Sequence, residues 1–212
     1  MDPKNTYYER AAATIIKNLE KRRMKGYYCP TGKEAAKFAM SFVKPGMSVS
    51  NGGSMTLDEI GFLDMLRKRD DIHFLDRAEG KTPEEQQEIM HRALLCDCYF
   101  LSTNAITMDG ELVNIDGTGN RMAAFIYGPK EVIVVAGMNK VVSDIPSAYA
   151  RIKDISTPQN CIRLGKKSPC AVNGRCGDCM GDESICSQLV VTRRTGPAGR
   201  IQVILVGEEL GY

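Results

Sequence analysis

The sequence predicts an α/β protein built on an open, largely parallel sheet with flanking helices. Three observations predict it. Runs of strand formers alternate with amphipathic helical runs through most of the chain. Glu131-Val132-Ile133-Val134-Val135-Ala136-Gly137 is nearly continuous β-branched apolar sequence, as a central strand covered on both faces requires. Polar segments at 51–54, 103–104 and 137–140 follow predicted strand ends, where open α/β sheets place their ligands.

The elements follow in order. Residues 6–24 set Tyr8, Ala12, Ile15, Ile16 and Leu19 at helical spacing, with Lys17, Lys21 and Arg22 opposite, which makes an amphipathic helix. A short strand at 26–29 precedes Pro30, and Thr31 with Glu34 forms a capping box for a helix to about Val43. Pro45-Gly46 ends it, and 47–50 reads as a buried strand. Asn51-Gly52-Gly53-Ser54 then leads into a helix, for which Thr56 and Glu59 form a second capping box. Such a loop presents backbone donors and hydroxyls to phosphate or carboxylate, and equally serves as a plain turn. A strand at 72–75, a helix from Thr82-Pro83 to about Leu95 and a strand at 97–101 come next.

The centre of the pattern is 103–121. Ala105-Ile106-Thr107-Met108 and Leu112-Val113-Asn114-Ile115 flank Asp109-Gly110, a hairpin signal because both turn residues tolerate positive φ. Asp116-Gly117-Thr118-Gly119-Asn120-Arg121 follows as a second Gly-rich polar loop, suited to an anion site or simply to reversing the chain. A helix over 122–126, the strand at 131–137 and a helix over 143–155 complete the alternation. Two closing strands at 189–192 and 201–206 finish the sheet.

The chain has 212 residues, 43% hydrophobic and 25% charged, enough for one α/β domain over 1–212. A formal net charge of +2 gives no reason for a nucleic-acid partner. No apolar run is long enough to insert in a membrane and the first residues lack a signal-peptide pattern, so a cytoplasmic location is expected. In that compartment the eight cysteines are ligands or core residues rather than disulfides.

Five of them, Cys161, Cys170, Cys176, Cys179 and Cys186, crowd 161–186, an insertion poor in core formers. Thiolate coordination would order such a segment, and Cys176-x2-Cys179 has chelating spacing. Four ligands suffice, so Cys170, Cys176, Cys179 and Cys186 are the expected metal set, with Cys161 as the spare fifth thiol. Free thiols are the plainer alternative. A 4Fe-4S cluster and zinc are not distinguished by spacing. Cys96 and Cys98 stand two apart entering a strand, so both are expected on one face as small hydrophobes. His73 and His91 have no neighbouring acid or thiol in sequence and read as structural.

Taken together, 51–61, 103–121, Tyr127-Gly128-Pro129 with Val132-Ile133, Gly137 with Asn139-Lys140, and Arg200 through Val206 resemble the LUD (lactate-utilization) domain family, in its cysteine-rich branch. The resemblance spans nearly the whole chain and implies the NagB/RpiA/CoA-transferase-like fold. It implies a component of an organic-acid (L-lactate) oxidation system with iron–sulfur chemistry, working with other subunits of such a complex. By analogy with phosphosugar-binding members of the fold, Gly52, Gly53, Ser54 and Thr56 would hold a small anionic ligand, a carboxylate or phosphate. Asn104, Asp116, Gly117, Gly119, Asn120 and Lys140 would line the same cleft. No counterpart of the CoA-transferase glutamate nucleophile is found. The competing expectation is a non-redox, isomerase-like enzyme with Asp116 as general base, Lys140 as its electrostatic partner and a structural zinc. A regulatory subunit is a third.

Overall fold

The computed structural model describes residues 2–212. Helix α1 (Pro3–Lys21) begins where the Asp2 side chain accepts from the Lys4 N–H, with Pro3 at the first helical position. Of the expected stripe Tyr8, Ala12, Ile15 and Leu19 are buried, joined by Ala11, while Ile16 is half-buried. Strand β1 (Lys25–Cys29) follows, then α2 (Gly32–Met40), where Thr31 Oγ1 accepts from the Glu34 N–H. Strand β2 (Ser48–Asn51) leads to the short helices α3 (Met55–Glu59) and α4 (Phe62–Arg67), then β3 (His73–Leu75). Helix α5 (Pro83–Ala93), capped by Thr82, precedes β4 (Cys98–Leu101). The hairpin strands β5 (Ala105–Thr107) and β6 (Leu112–Asp116) lead into α6 (Asn120–Ile126) and β7 (Glu131–Gly137). The chain closes through β8 (Val141–Val142), α7 (Ile145–Arg151), α8 (Thr157–Arg163), α9 (Pro169–Asn173), β9 (Gln188–Thr192) and β10 (Ile201–Val206).

Six strands form one parallel sheet in the order β1-β10-β7-β4-β2-β3. Alternate residues of its central strands enter different cores. Tyr99, Leu101, Val132, Val134, Val203 and Leu205 pack with α1 and α6 on one face. Phe100, Ile133, Val135, Ile204 and Val206 pack with α2, α3 and α4 on the other. Each such side chain contributes about 1.5–3 kcal/mol by leaving water, and a sheet covered on both faces collects this from every residue of its central strands.

Where a single sheet is expected, the structure has two. The hairpin leaves the large sheet and builds a four-stranded one in the order β8-β5-β6-β9, in which only β5 and β8 run parallel. The two closing strands therefore part company: β9 borders the small sheet, while β10 lies deep in the large one between β1 and β7. Their patterns differ accordingly, since β10 is buried at every residue and β9 is mostly exposed. In the hairpin turn only Gly110 has a positive φ, +85°; Asp109 does not. Thr107 and Glu111 close a three-residue connection, Met108 to Gly110, for which one left-handed residue suffices. Cys96 and Cys98 are both buried, but on opposite faces of the large sheet, because Cys96 precedes the strand and does not share its alternation. The cap of α3 is Ser54, whose Oγ accepts from the Leu57 N–H, so Thr56 lies inside the helix rather than at its start.

The helix expected over 143–155 begins at Ile145 and runs on to Arg163 through a π turn, Ile152–Ser156, between α7 and α8. Pro158 supplies no N–H to the turn behind it, and the chain widens there. Cys161 thus sits on a helix already packed against the domain, and from 174 to 187 the chain is irregular.

Candidate functional site

A polar cleft of about 220 Å³ opens beyond the carboxyl ends of the large sheet's strands. Gly53 and Ser54 follow β2, Arg77 follows β3, Ser102 to Asn104 follow β4, and Lys140 follows β7; each lines the cleft. Asp116, Gly117 and Asn120 complete the wall from the hairpin side, and Asn160, Arg163 and Tyr212 from the other. Of the ten residues expected to bind a ligand, Gly53, Ser54, Asn104, Asp116, Gly117, Asn120 and Lys140 line the cleft. Gly52, Thr56 and Gly119 lie behind it.

Those three have other work. A Cβ on Gly52 would stand 2.8 Å from Arg121 Cγ and 2.9 Å from its Cδ, so glycine there admits the arginine stem. Gly119, at φ +88°, starts α6. Thr56, fully buried, holds Lys140 from behind. With five and seven residues, α3 and α6 are short, so the loops contribute backbone groups and hydroxyls more than any helix dipole.

Lys140 is 3% exposed. Its Nζ donates to Thr56 Oγ1 at 2.8 Å and to Ser102 Oγ at 2.9 Å, and among the described residues no carboxylate lies within ion-pair distance. Burial, followed by the charge of Arg151, pushes its ammonium down to about 7. Glu59 acts weakly in the opposite sense.

Arg121 also lines the cleft, but its guanidinium is taken up by protein acceptors. Its Nη1 donates to Ser102 O and Asn114 Oδ1, and its Nη2 to Ile115 O and Asn104 Oδ1, at 2.8–3.3 Å. Nε lies 3.5 Å from Asp116 Oδ2. Asp116 in turn accepts from Gly119 N at 3.0 Å and Met122 N at 3.2 Å, so both its oxygens anchor the loop. Arg151 is similarly spent, donating to Asn139 O, Asn104 O and Ser156 Oγ. The cations less fully committed are Arg77, Lys140 and Arg163, whose Nε and Nη2 donate to Asn160 Oδ1 and whose Nη1 has no such partner among the described residues. Arg77, Ser102, Asn160, Arg163 and Tyr212 are not among the residues the sequence points to, and Arg121 enters there only as the end of the Gly-rich loop. Ser102 and Arg77 carried a usable signal, since each directly or nearly follows a parallel strand. Arg163 and Tyr212 reach the cleft only through the tertiary fold.

A second cavity, of about 190 Å³, is walled by all five clustered cysteines: Cys161, Cys170, Cys176, Cys179 and Cys186. Cys161 and Cys170 are buried and the other three half-buried. The irregular segment is held by Lys153 with Asp178 at 3.0 Å, and by Glu183 accepting from Lys167 N at 2.8 Å. Its exit is tied to the cleft loop through Ser187 N donating to Asp116 O at 2.9 Å. Gly117 lets Ile185 approach, since a Cβ there would meet Ile185 backbone at 3.3 Å. Among the described residues no three Cys, His, Asp or Glu side chains converge closely enough to hold one ion. Ile115, Thr157 and Ile185 line both cavities and so form the wall between them.

The fold and these two cavities define a class: an α/β protein with a cationic cleft at its strand ends and a thiol-lined chamber beside it. The LUD domain profile matches residues 12–206, and the chain belongs to the LUD domain family. A crystal structure of a DUF162 family protein from Deinococcus radiodurans shares the fold, with a TM-score of 0.52 at 10% identity over 94% of this chain and 98% of that one. Ribose 5 phosphate isomerase A from Neisseria gonorrhoeae matches 63% of this chain and 65% of its own, at TM-score 0.35 and 16% identity. The eIF2B beta of Chaetomium thermophilum matches 55% of this chain and 44% of its own, at 0.37 and 18%. No curated protein sequence matches the chain. Among the described residues no helix is long and apolar enough to cross a membrane.

Proposed function

We propose that this LUD domain protein is a component of an organic-acid oxidation system of the L-lactate type, binding a small carboxylate in the cleft beside a Cys-ligated iron–sulfur cluster. The observation that carries this reading is the shared wall of Ile115, Thr157 and Ile185 between the cationic cleft and the five-thiol cavity. Membership of the family supports the lactate-type setting.

The donor set suits a cluster better than a single ion. Tetrahedral zinc draws four sulfurs to about 2.3 Å from one point. Cluster ligands bind different irons and stay apart around a central volume. Five thiols around a cavity of about 190 Å³ suit that larger volume. Cys170, Cys176, Cys179 and Cys186 would hold the cluster, and Cys161 on α8 is the fifth thiol. Bound there, a 4Fe-4S cluster would accept and release single electrons. Arg77 and Arg163 would orient the carboxylate, and the burial of Lys140 would strengthen its hold on an anion. Electrons held there would leave to another protein, so the proposal includes partner subunits.

The isomerase-like reading with structural zinc asks Asp116 to act as a base. Its two oxygens already accept from two backbone N–H groups and neighbour Arg121, which suits an anchor better.

Metal and sulfide analysis with a UV–visible spectrum, on protein purified without oxygen, tests the proposal. Iron and sulfide in cluster proportion with a reducible visible absorbance, lost in Cys176→Ser or Cys179→Ser, is the expected result. Stoichiometric zinc, or no metal, would overturn it.

A further inference from the structure

Thr56 Oγ1 donates its only hydrogen to Leu210 O at 3.2 Å, and Ser102 Oγ points its hydrogen at Thr103 O at 3.4 Å. Towards Lys140 both hydroxyls can therefore only accept. The two contacts at 2.8 and 2.9 Å consequently consume two N–H bonds of Nζ. The remaining position on Nζ, an N–H in the ammonium and a lone pair in the neutral amine, is left free of protein partners among the described residues, on a residue that lines the cleft.

We infer that Lys140 is a nucleophile that captures the carbonyl of a small anionic ligand, a 2-oxo acid, as a Schiff base. This rests on the carboxylate-binding reading of the cleft and goes beyond it. Nζ adds to the carbonyl carbon, a C–N bond forms and the C–O bond breaks. The oxygen leaves as water with the two amine hydrogens, so no oxidant or reductant is needed. Arg77 and Arg163 take the carboxylate, while the hydroxyls of Thr56 and Ser102 hold the reacting nitrogen in place. The depressed basicity already noted leaves a large share of this amine neutral near pH 7. The 2-oxo acid is the oxidation product of a 2-hydroxy acid, so the same cleft would retain what the oxidation forms.

The test incubates the full chain, purified without oxygen, with pyruvate and cyanoborohydride, and maps any reduced adduct by peptide mass spectrometry. In parallel, stabilisation against heat is measured with L-lactate, which has no carbonyl. The expected result is labelling of Lys140 at least about tenfold above every exposed lysine, whose amines are almost wholly protonated. The label should vanish in Lys140→Arg, which keeps a cation but offers no imine-forming amine, and persist in Lys130→Arg, an exposed position far from the cleft. Labelling spread evenly over surface lysines, or none while L-lactate still stabilises, would overturn the Schiff base and leave the carboxylate cleft standing. Neither label nor stabilisation would overturn both.

Discussion

Lys140 gives the molecule a pH signature that a solvent-facing lysine would not. Its folded-state pKa of about 7 lies below its ordinary value of 10.5, with burial, Arg151 and Arg121 pushing it down and Glu59 weakly resisting. Between those two values the unfolded chain holds more protons than the native one, so this group makes stability rise with pH through that window. Below about 7 both states are charged and the cost of the buried ammonium is felt in full. Thermal unfolding followed from pH 7 to 9.5 should therefore show a rising contribution in the native protein that is absent in Lys140→Met. Parallel profiles would show that Nζ is better solvated than its surroundings suggest. Arg121 is the residue whose loss should cost most. Arg121→Met strands the Asp116 carboxylate and the acceptors on Ser102, Asn114 and Ile115. A loss of about 3–5 kcal/mol is expected in urea unfolding, as for other broken buried pairs.

Among the elements, the irregular 174–187 segment and the large sheet have different sources of order. The sheet is held by alternating cores on two faces. The segment has only surface ion pairs and a few backbone ties, of which Lys153 with Asp178 is half-exposed and worth little. Its stability should thus follow its metal. Treating the protein with chelator in air should expose 174–187 to limited proteolysis while the remainder resists; an equal protease resistance with and without metal would count against coordination. The hairpin is the contrary case. Arg22 donates to Asp109 O at 2.6 Å and pairs with Glu111 at 2.5 Å, tying the turn to the end of α1 without any ligand.

At the scale of the whole molecule, cleft and thiol cavity are adjacent because the Asp116 loop carries both: its carboxylate anchors α6 and its carbonyl receives Ser187. An anion in the cleft should stabilise by mass action, about 2.7 kcal/mol at a hundred times its Kd, and added salt should weaken the effect through the exposed Arg77 and Arg163. A small dicarboxylate such as oxalate that leaves the melting temperature of the native protein and of Arg163→Gln equally unchanged would deny the cleft its anion.

Much of this arrangement is determined by local sequence alone. The periodicity of α1, the Thr31 and Thr82 caps, the apolar run of β7 and the Gly110 turn are properties of neighbouring residues, and they alone define the α/β class and the strand ends where a ligand would sit. The crowding of five cysteines was legible for the same reason. What tertiary structure decided is partnership across distance. That β9 leaves β10 for a second sheet depends on which edge is free, not on either strand's own residues. Gly52 reads as a ligand loop until Arg121 is seen to fill the space its missing Cβ leaves. Thr56 reads as a cap until Lys140 is found 2.8 Å away, 84 residues along the chain. Capping and hairpin signals are local free energies and survive in a sequence. Burial of a cation among hydroxyls is a sum over segments that only the folded chain brings together.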